Sequence, residues 1–404
     1  MKSTLRDYLK VIDFINETKS KFLNNRYVNV DEVINDYFKT ISLIWEEIDN
    51  VNEQDLTNMY KVHEFLINEV CNIHDRENSN INEETFKQNI NIKIASAKLE
   101  DGKRGCNIYS FNDMDYEYYL IGDIHSDTIS LRKILEKTDF FNKVLKKEKV
   151  RLIFLGDYVD RGKEHLKTIQ CLLTLKYIFT ENIFLQRGNH DGGFFIDGEV
   201  KMWVRKPDKD LEKDWFLLYL YNLANSNKTF NIDIINKYLG LFDSLSNVSF
   251  ICNENITLMA VHGGIPRPRK GEGEPFSYIN SISDLTNENI LDYLDGSIIK
   301  NMMWSDPSVS NENLKEDKVR FRFTEEHFKE FRDLIGFDIF VRGHQAEPLG
   351  YHKFFGDKLI TIFSSGVILS NGENINDETA YGNVSPKILK IDRKGEVLIL
   401  DINS

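Results

Sequence analysis

The stretch that decides the fold is residues 150–162, which read VRLIFLGDYVDRG. Its first six residues form an apolar run, broken by one arginine, with the length of a buried strand, and a charged turn follows directly. Two further stretches, one on each side along the chain, also run from a short apolar segment into a polar turn. The elements predicted here are strands at 116–121, 150–155 and 182–185 and helices at 128–137 and 163–179. This βαβαβ order predicts parallel strands joined by right-handed crossovers.

Polar side chains gather where the predicted strands end. Five turns carry them: Gly122–His125, Gly156–Gly162, Arg187–Asp191, His262–Pro266 and Arg342–Gln345. In an open α/β sheet, ligands bind outside the carboxyl ends of the strands. A single Asp in such a turn is usually a helix cap or a turn residue, but these five turns hold four of the nine histidines and need a common explanation. The sequence therefore predicts a functional site at this edge of the sheet.

The donor atoms at this edge suit metal ions. Two aspartates, three histidines and one asparagine make a mixed oxygen and nitrogen set without thiolates. The imidazoles argue against a Ca or Mg cage, and the set suits Mn, Fe or Zn. A carboxylate shared by two ions about 3.5–4 Å apart would give a two-metal site for in-line displacement at phosphorus.

The chain divides, in this interpretation, into a helical N-terminal extension at residues 1–112 and an α/β domain at residues 113–404. Apolar residues recur at helical spacing in three runs of the extension, and a fourth segment begins near Asn82. After residue 210 the domain continues into further helices and strands, and a loop-rich stretch from Pro266 to about Glu325 interrupts the strands. The later elements are helices at 211–225 and 232–245 and strands at 248–252, 256–261, 338–341, 359–363, 387–391 and 397–401.

Composition narrows the class of protein. The formal charge of −13 and the isoelectric point near 5.3 argue against a general nucleic-acid or anionic-membrane binder, which needs a basic face. The four scattered cysteines form no CxxC pair, which suits a reducing compartment. The charged N-terminus has no apolar core of signal-peptide type, and no long uncharged apolar run suggests a membrane span. We expect a cytoplasmic protein without nucleic-acid or membrane partners.

Together the motifs resemble those of the metallophosphoesterase superfamily, and specifically its phosphoprotein phosphatase (PPP) family of serine/threonine phosphatases, with the calcineurin-like fold. GDYVDRG at 156–162, RGNH at 187–190 and HGG at 262–264 carry the resemblance. Trp304–Pro307 also resembles the WSDP element of that family. The similarity covers roughly residues 116–401. It implies a β-sandwich flanked by helices, in αββα order, behind the α-helical N-terminal segment.

The resemblance also implies roles for the site residues. Asp123, His125 and Asp157 would hold one metal, and Asp157, Asn189, His262 and His344 a second. A hydroxide between the ions would be the nucleophile, since a bound metal lowers the pKa of a water towards 7. His190 would be the general acid, oriented by Asp160. Arg161 would bind phosphate oxygens through its guanidinium.

A second phosphate-binding arginine is expected between the WSDP element and the last histidine. Arg320 and Arg322 are the candidates, and a solvated basic face is the alternative for each of them. Two residues depart from the family pattern: Ser126 stands where Gly is usual, and Asp191 where Glu is usual. The segment after His190 is long, and residues 192–210 are predicted to form an extra surface loop.

The sequence favours a phosphatase dependent on two divalent metal ions, with Mn favoured in vitro, that acts on phosphoserine and phosphothreonine in proteins. One alternative is a nucleotide or dinucleoside tetraphosphate phosphoesterase, which shares the motifs. A non-enzyme alternative is a silent scaffold, although no ligand or acid is missing. The N-terminal helices could bind a protein partner, mediate self-association or regulate the site, and the sequence does not choose between these roles.

Overall fold

The computed structural model describes most of the chain. The described residues are 7–45, 53–78, 93–95, 108–113, 115–205, 208–228, 230–252, 256–266, 279, 285, 298–310, 322–377 and 379–404. The predicted fourth N-terminal segment near Asn82 lies outside them. Among the described residues, no helix combines the length and the apolar composition needed to cross a membrane.

A five-stranded sheet holds the predicted βαβαβ unit. Its strands, in spatial order, are β18 (Val397–Asp401), β17 (Lys387–Ile391), β3 (Glu117–Ile121), β4 (Val150–Phe154) and β5 (Ile183–Leu185). Strands β3, β4 and β5 are parallel, with Ile121 opposite Phe154 and Phe154 opposite Leu185. These strands are buried on both faces, which is why they read as continuous apolar runs. Strands β17 and β18 form the predicted hairpin.

A seven-stranded sheet supplies the second layer. Its strands, in spatial order, are β1 (Lys93–Ala95), β2 (Ile108–Phe111), β8 (Val248–Cys252), β9 (Thr257–Val261), β12 (Ile339–Arg342), β14 (Leu359–Ile362) and β13 (Tyr351–Phe354). Strands β9, β12 and β14 are parallel, so their carboxyl ends also share one edge. Strands β1 and β2 fall within the segment that the sequence predicted to be helical.

The two sheets pack face to face. One buried cluster contains Leu120 and Ile153 of the five-stranded sheet together with Ala260 and Val341 of the seven-stranded sheet. Phe111 and Phe184 meet across the same interface, with ring centroids 4.8 Å apart. The structure is therefore a β-sandwich, as predicted.

Helices cover the outer face of each sheet. On the five-stranded side lie α4 (Thr128–Lys137), α5 (Phe140–Leu145), α6 (His165–Ile178), α7 (Phe216–Ser226) and α8 (Ile234–Ser244). On the seven-stranded side lie α9 (Lys300–Trp304) and α10 (Glu325–Ile335). This arrangement confirms the αββα order. Two short strand pairs, β10 (Asp306–Pro307) with β11 (Arg322–Phe323) and β15 (Leu369–Ser370) with β16 (Glu373–Asn374), lie outside the main sheets.

The N-terminal helices form a further layer on α6 and α8. They are α1 (Tyr8–Leu23), α2 (Val30–Trp45) and α3 (Glu53–Asn78), and their buried faces join the same apolar cluster as α4–α8. Polar contacts cross the boundary as well: Tyr37 Oη donates to the carbonyl of Cys171 at 3.0 Å. The fully buried Lys176 donates to Glu77 Oε1 at 2.6 Å. The predicted division at residue 112 stays a prediction, and these helices share a core with the sandwich.

Two local elements differ from their predictions. Residues 192–210 include a β-hairpin, β6 (Gly193–Ile196) with β7 (Glu199–Met202), where a loop was predicted. The helix predicted at 211–225 is divided into a 3₁₀ helix at Lys209–Asp214 and helix α7, with extended backbone at Trp215. A residue far away in the sequence accounts for this division: the N–H of Phe216 donates to Asp160 Oδ1 at 2.7 Å instead of to a carbonyl of a continuous helix.

Candidate active site

The carboxyl ends of β3, β4, β5, β9 and β12 meet at one edge of the sandwich. Asp123 follows β3 and forms a bridge to Phe363, which follows β14 and so joins the two sheets. Asp157, Asn189, His262 and His344 follow the other strand ends and lie beside it. The edge predicted from the sequence therefore exists, and both sheets contribute to it.

Left-handed backbone places several of these side chains. Positive φ angles, uncommon for residues other than glycine, occur at His125 (47°), Asp157 (56°), Asp160 (67°), Arg161 (71°) and His344 (73°). Each costs about 1 kcal/mol or more, so the surrounding structure must enforce it. A sharp reversal after each strand turns these side chains over the sheet edge.

Two glycines allow the loops to approach each other closely. A Cβ on Gly188 would lie 2.2 Å from Asp157 Oδ1, and a Cβ on Gly343 would lie 2.4 Å from Asp123 Oδ1. No side chain fits at either position without moving an aspartate of the site. The RGNH and RGH motifs thus need glycine because their backbones lie against these carboxylates.

Two groups of donor atoms lie side by side. The first contains His125, Asp157 and His190, and the second contains Asp157, His262 and His344; within each group the donor atoms lie within 4.8 Å of one another. Asp157 belongs to both groups, and its Oδ2 lies 3.5 Å from His125 Nε2 and 3.3 Å from His262 Nε2. These groups are sets of side chains that can hold metal ions.

Asp123 and Asn189 complete the two groups. Asp123 Oδ2 is buried, has no hydrogen-bond partner in the described part of the chain, and lies 3.6 Å from His125 Nε2. Asn189 Oδ1 lies 2.9 Å from His262 Nε2 and 2.6 Å from His344 Nδ1. A buried carboxylate oxygen without a donor is costly unless a cation satisfies it. The six predicted ligands therefore meet at one place.

The histidines are oriented through their second ring nitrogens. His125 Nδ1 and His262 Nδ1 each donate to a backbone carbonyl at 2.9 Å, those of Val159 and Leu155. His344 turns its Nε2 towards Asp306 Oδ1, 3.7 Å away. Each histidine thus presents its other nitrogen to the centre of the site as a lone pair, as metal ligands usually do.

The ionisable side chains of the site shift the pKa values of one another. Burial alone would raise the pKa of Asp157, but the neighbouring His262, His190 and His125 hold that pKa well below its usual range. Burial alone would lower the pKa of His262, but the negative charge of Asp157 raises it to about 9. Burial, and then the charge of Asp157, raise the pKa of Asp191 to about 7. This concentration of buried carboxylates suits bound cations, and the donor set fits divalent metal ions.

Asp191 links two of the loops. Its Oδ2 accepts from the backbone N–H groups of Asp157 at 2.7 Å and Gly188 at 2.9 Å, and its Oδ1 accepts from Tyr158 N at 3.0 Å. The replacement of the usual Glu by Asp at this position leaves the carboxylate in contact with both the GDYVDRG and the RGNH turn.

His190 belongs to the first donor group and also contacts Asp160 and Trp215. Its Nδ1 lies 2.7 Å from Asp160 Oδ2, and its ring stacks on Trp215 with centroids 5.5 Å apart and an interplanar angle of 27°. The Arg161 guanidinium lies 5.1 Å from the centroid of the same Trp215 ring, on which it packs. An acid–histidine pair and a guanidinium are thus fixed beside one indole.

The sequence comparison is consistent with this geometry. Residues 117–348, more than half of the chain, match the calcineurin-like phosphoesterase family. The chain belongs to this family. Its αββα sandwich and strand-end donor groups are therefore those of a calcineurin-like phosphoesterase, and divalent metal ions are implied for its site.

Curated relatives of this calcineurin-like phosphoesterase carry phosphatase names. A probable serine/threonine-protein phosphatase of Encephalitozoon cuniculi is 28% identical over 274 residues, 66% of this chain and 51% of that protein. A serine/threonine-protein phosphatase of Caenorhabditis elegans is 27% identical over 258 residues, 63% of this chain and 49% of that protein. The chain thus spans about half the length of these relatives.

A solved structure shares the fold. It is that of a protein serine/threonine phosphatase from Saccharomyces cerevisiae with similarity to human phosphatase PP5, and it matches with a TM-score of 0.53 at 16% identity. The match covers 85% of this chain and 90% of that chain. At this identity the likeness concerns the fold alone.

A pocket of about 760 Å³ opens over the site of this phosphoesterase. Its wall includes residues that the sequence analysis did not single out: Trp203, Arg205, Trp215, Glu347 and Tyr381. The Tyr381 ring lies 5.4 Å from that of His125. No local signal marks these residues, because loops distant in sequence bring them to the pocket.

The predicted second phosphate-binding arginine is not among the pocket residues of the described chain. Arg322 is exposed on β11, which pairs with β10, and Arg320 lies outside the described residues. Arg187 and Arg342 have internal partners: Arg187 pairs with Asp243 at 2.8 Å, and the fully buried Arg342 with Asp306 at 2.9 Å. The exposed arginines that line the pocket are Arg161 and Arg205.

Proposed function

We propose that this calcineurin-like phosphoesterase is a metal-dependent phosphatase that removes phosphate from phosphoserine and phosphothreonine in proteins. The observation that carries the proposal is the pair of donor groups that share Asp157, together with the contact of His190 in the first group with Asp160. The names of the two curated relatives support a protein substrate.

Two divalent ions would have suitable ligands here. Asp123, His125 and Asp157 would hold one ion, and Asp157, Asn189, His262 and His344 the other. Mn, Fe and Zn all suit this oxygen and nitrogen set, with Mn favoured in vitro. When bound, such ions supply a water of lowered pKa as nucleophile and offset the charge of the phosphate.

His190 is proposed as the general acid. Asp160 Oδ2 accepts from its Nδ1, so its Nε2 is free to hold the proton that the departing alkoxide of serine or threonine needs. Arg161, beside it on Trp215, would bind phosphate oxygens, for which its planar guanidinium is shaped. These two side chains would thus act on the leaving oxygen and on the phosphate.

The proposal is tested by phosphate release with added Mn. A panel of phosphoserine, phosphothreonine and phosphotyrosine peptides is compared with mononucleotides and dinucleoside tetraphosphates. Preference for the first two peptide classes supports the proposal. Preference for nucleotides would transfer the activity to the nucleotide phosphoesterase class. Absence of turnover on every substrate, with metal bound, would favour the silent scaffold.

A further inference from the structure

The β6–β7 hairpin returns the chain to the catalytic pocket. Its antiparallel pairing sets Gly193 opposite Met202, so the residues after Met202 run back alongside those before Gly193. Trp203 lies against Gly192, where an added Cβ would meet its ring at 2.7 Å. The next two residues, Val204 and Arg205, then line the pocket together with His190.

Contacts of the Trp203 ring fix the position of the segment formed by residues 203–205. The Arg187 guanidinium lies 4.2 Å from the Trp203 ring centroid, within the range of a cation–π contact. Arg187 is itself held by the carbonyl of Asp191 at 3.0 Å and by Asp243 at 2.8 Å. The position of the chain two residues before Arg205 is therefore set by the turn that carries His190.

Arg205 brings an exposed positive charge to the pocket. The described residues include no ion-pair partner for it. The acidic residues of the pocket wall are Asp157, which belongs to both donor groups, and Glu347, whose Oε2 lies 3.4 Å from His352 Nδ1. A guanidinium next to the site is thus available to a ligand.

We propose that Arg205 selects phosphoprotein segments that carry an acidic residue beside the phosphorylated one. The inference rests on the proposed function and names the substrate class of the same site. A guanidinium binds a carboxylate through two parallel hydrogen bonds, which suits an Asp or Glu of the substrate. The net charge of −13 does not oppose this, because charges farther away than about 8–10 Å are largely screened at physiological ionic strength.

We assign Arg205 to the residue that flanks the phosphorylated one, and not to the phosphate itself. The reason is that Arg161, and not Arg205, packs beside His190, the proposed general acid. Arg161 shares the Trp215 ring with His190, whereas no described contact joins Arg205 to His190, Asp160 or Trp215. Arg205 is itself exposed, and so are Phe194 and Ile196 of the hairpin that precedes it.

The test compares matched phosphoserine peptides that differ only in Asp or Asn beside the phosphoserine, on either flank. Wild type, Arg205→Gln and Arg205→Glu are assayed with the control Arg393→Gln, an exposed arginine in the β17–β18 turn at the opposite end of the sheet. An exposed ion pair is worth up to about 1 kcal/mol, so wild type should favour the Asp peptide in KM by about fivefold. Arg205→Gln should remove this preference, Arg205→Glu should invert it, and Arg393→Gln should leave both the preference and kcat unchanged.

Activity on p-nitrophenyl phosphate separates the other outcomes. Its KM should be the same in wild type and Arg393→Gln and should change far less in Arg205→Gln than the KM of the Asp peptide does, since p-nitrophenyl phosphate has no flanking residue. A rise in that KM in Arg205→Gln as large as the rise for the Asp peptide would mean that Arg205 binds the phosphate, which overturns the assignment. Peptide turnover without preference in wild type, or an unchanged preference in Arg205→Gln, would also overturn it. Hydrolysis of p-nitrophenyl phosphate but of no phosphopeptide would instead refute the proposed function.

Discussion

Asp160 connects His190 to helix α7, which follows much later in the chain. Its Oδ2 lies 2.7 Å from His190 Nδ1, and its Oδ1 accepts from Phe216 N, also at 2.7 Å. Arg161 N donates to the carbonyl of Asp214 at 2.7 Å. Residues 214–216 therefore hold both His190 and Arg161, and the Trp215 ring packs on both side chains.

Removal of the Trp215 ring should impair catalysis more than metal binding. We expect Trp215→Ala to lower kcat by about ten- to a hundredfold, because small displacements of a catalytic group have effects of that size. The bound metal per chain should not change, since the Trp215 ring packs on His190 and Arg161, neither of which is a proposed ligand. Steady-state kinetics and elemental analysis of the same samples measure both quantities.

Trp215→Phe is the matched control for this prediction. It keeps an aromatic ring under His190 and should recover most of the lost kcat. Equal activity of the Ala variant and wild type would show that the stacking does not position the acid.

At the scale of elements, helix α3 is attached to the sandwich by buried polar groups as well as apolar ones. His63 Nε2 donates to Gln170 Oε1 of α6 at 3.2 Å, and its Nδ1 accepts from the hydroxyl of Tyr238 on α8. Burial lowers the pKa of His63 to about 4. His74 and Glu77 make further contacts, to Ser244 and Lys176.

His63 should make the protein less stable in mild acid. Because its pKa in the folded protein lies below the unfolded value of about 6.5, only the unfolded chain takes up a proton as pH falls through this interval. The contribution is fully present above about pH 6.5, and about 2 kcal/mol of stability is lost by pH 5. Denaturant unfolding of wild type and His63→Gln between pH 5 and 7.5 measures the effect. The variant should show a shallower pH dependence, and identical slopes would refute this role for His63.

The predicted elements show which features a sequence specifies locally. Strands β3, β4 and β5 are buried on both faces, so their apolar runs identify them directly. The break at Trp215 has no local signal, because its cause is Asp160, more than fifty residues earlier. Strand β2 escaped prediction because it is short and carries a polar residue, Ser110, that is buried.

The candidate site also has residues that the sequence predicts and residues that it does not. Its six proposed ligands could be predicted because each follows a strand in a short motif, and the fold brings strand ends together. The residues of the pocket wall could not be predicted in this way. Trp203, Arg205, Trp215 and Tyr381 lie on loops whose paths depend on tertiary contacts. A second phosphate-binding arginine at Arg320 or Arg322 stays a prediction, since Arg320 lies outside the described residues and Arg322 is exposed on β11.

At the scale of the whole molecule, the N-terminal helices behave as a layer of the structure. The described residues that line the catalytic pocket come from none of α1–α3. Their buried side chains join the cluster that covers the five-stranded sheet. This placement does not favour a cover over the site. A cytoplasmic location and self-association through these helices stay predictions, and sedimentation velocity would test the second.

Deletion of residues 1–78 should therefore destabilise the protein severely. Each buried large apolar side chain contributes about 1.5–3 kcal/mol, and a domain's stability is only about 5–15 kcal/mol, so the loss of Val11, Ile15, Val33, Tyr37 and Leu66 with their neighbours exceeds it. We expect loss of a cooperative thermal transition, measured by calorimetry and gel filtration. A truncated protein with a Tm within a few degrees of the full chain would show that the layer is dispensable.

The bound metal content of wild type and His190→Asn, taken on the same samples as phosphopeptide turnover, distinguishes a metal ligand from a general acid at His190. We predict two divalent ions per chain in both proteins. We also predict a loss of kcat of about 10²–10⁴ in the variant, the usual contribution of a general acid. Loss of an ion in His190→Asn would make His190 a metal ligand, which its place in the first donor group allows, and would contradict its role as the acid. Full turnover in the variant would contradict that role as well.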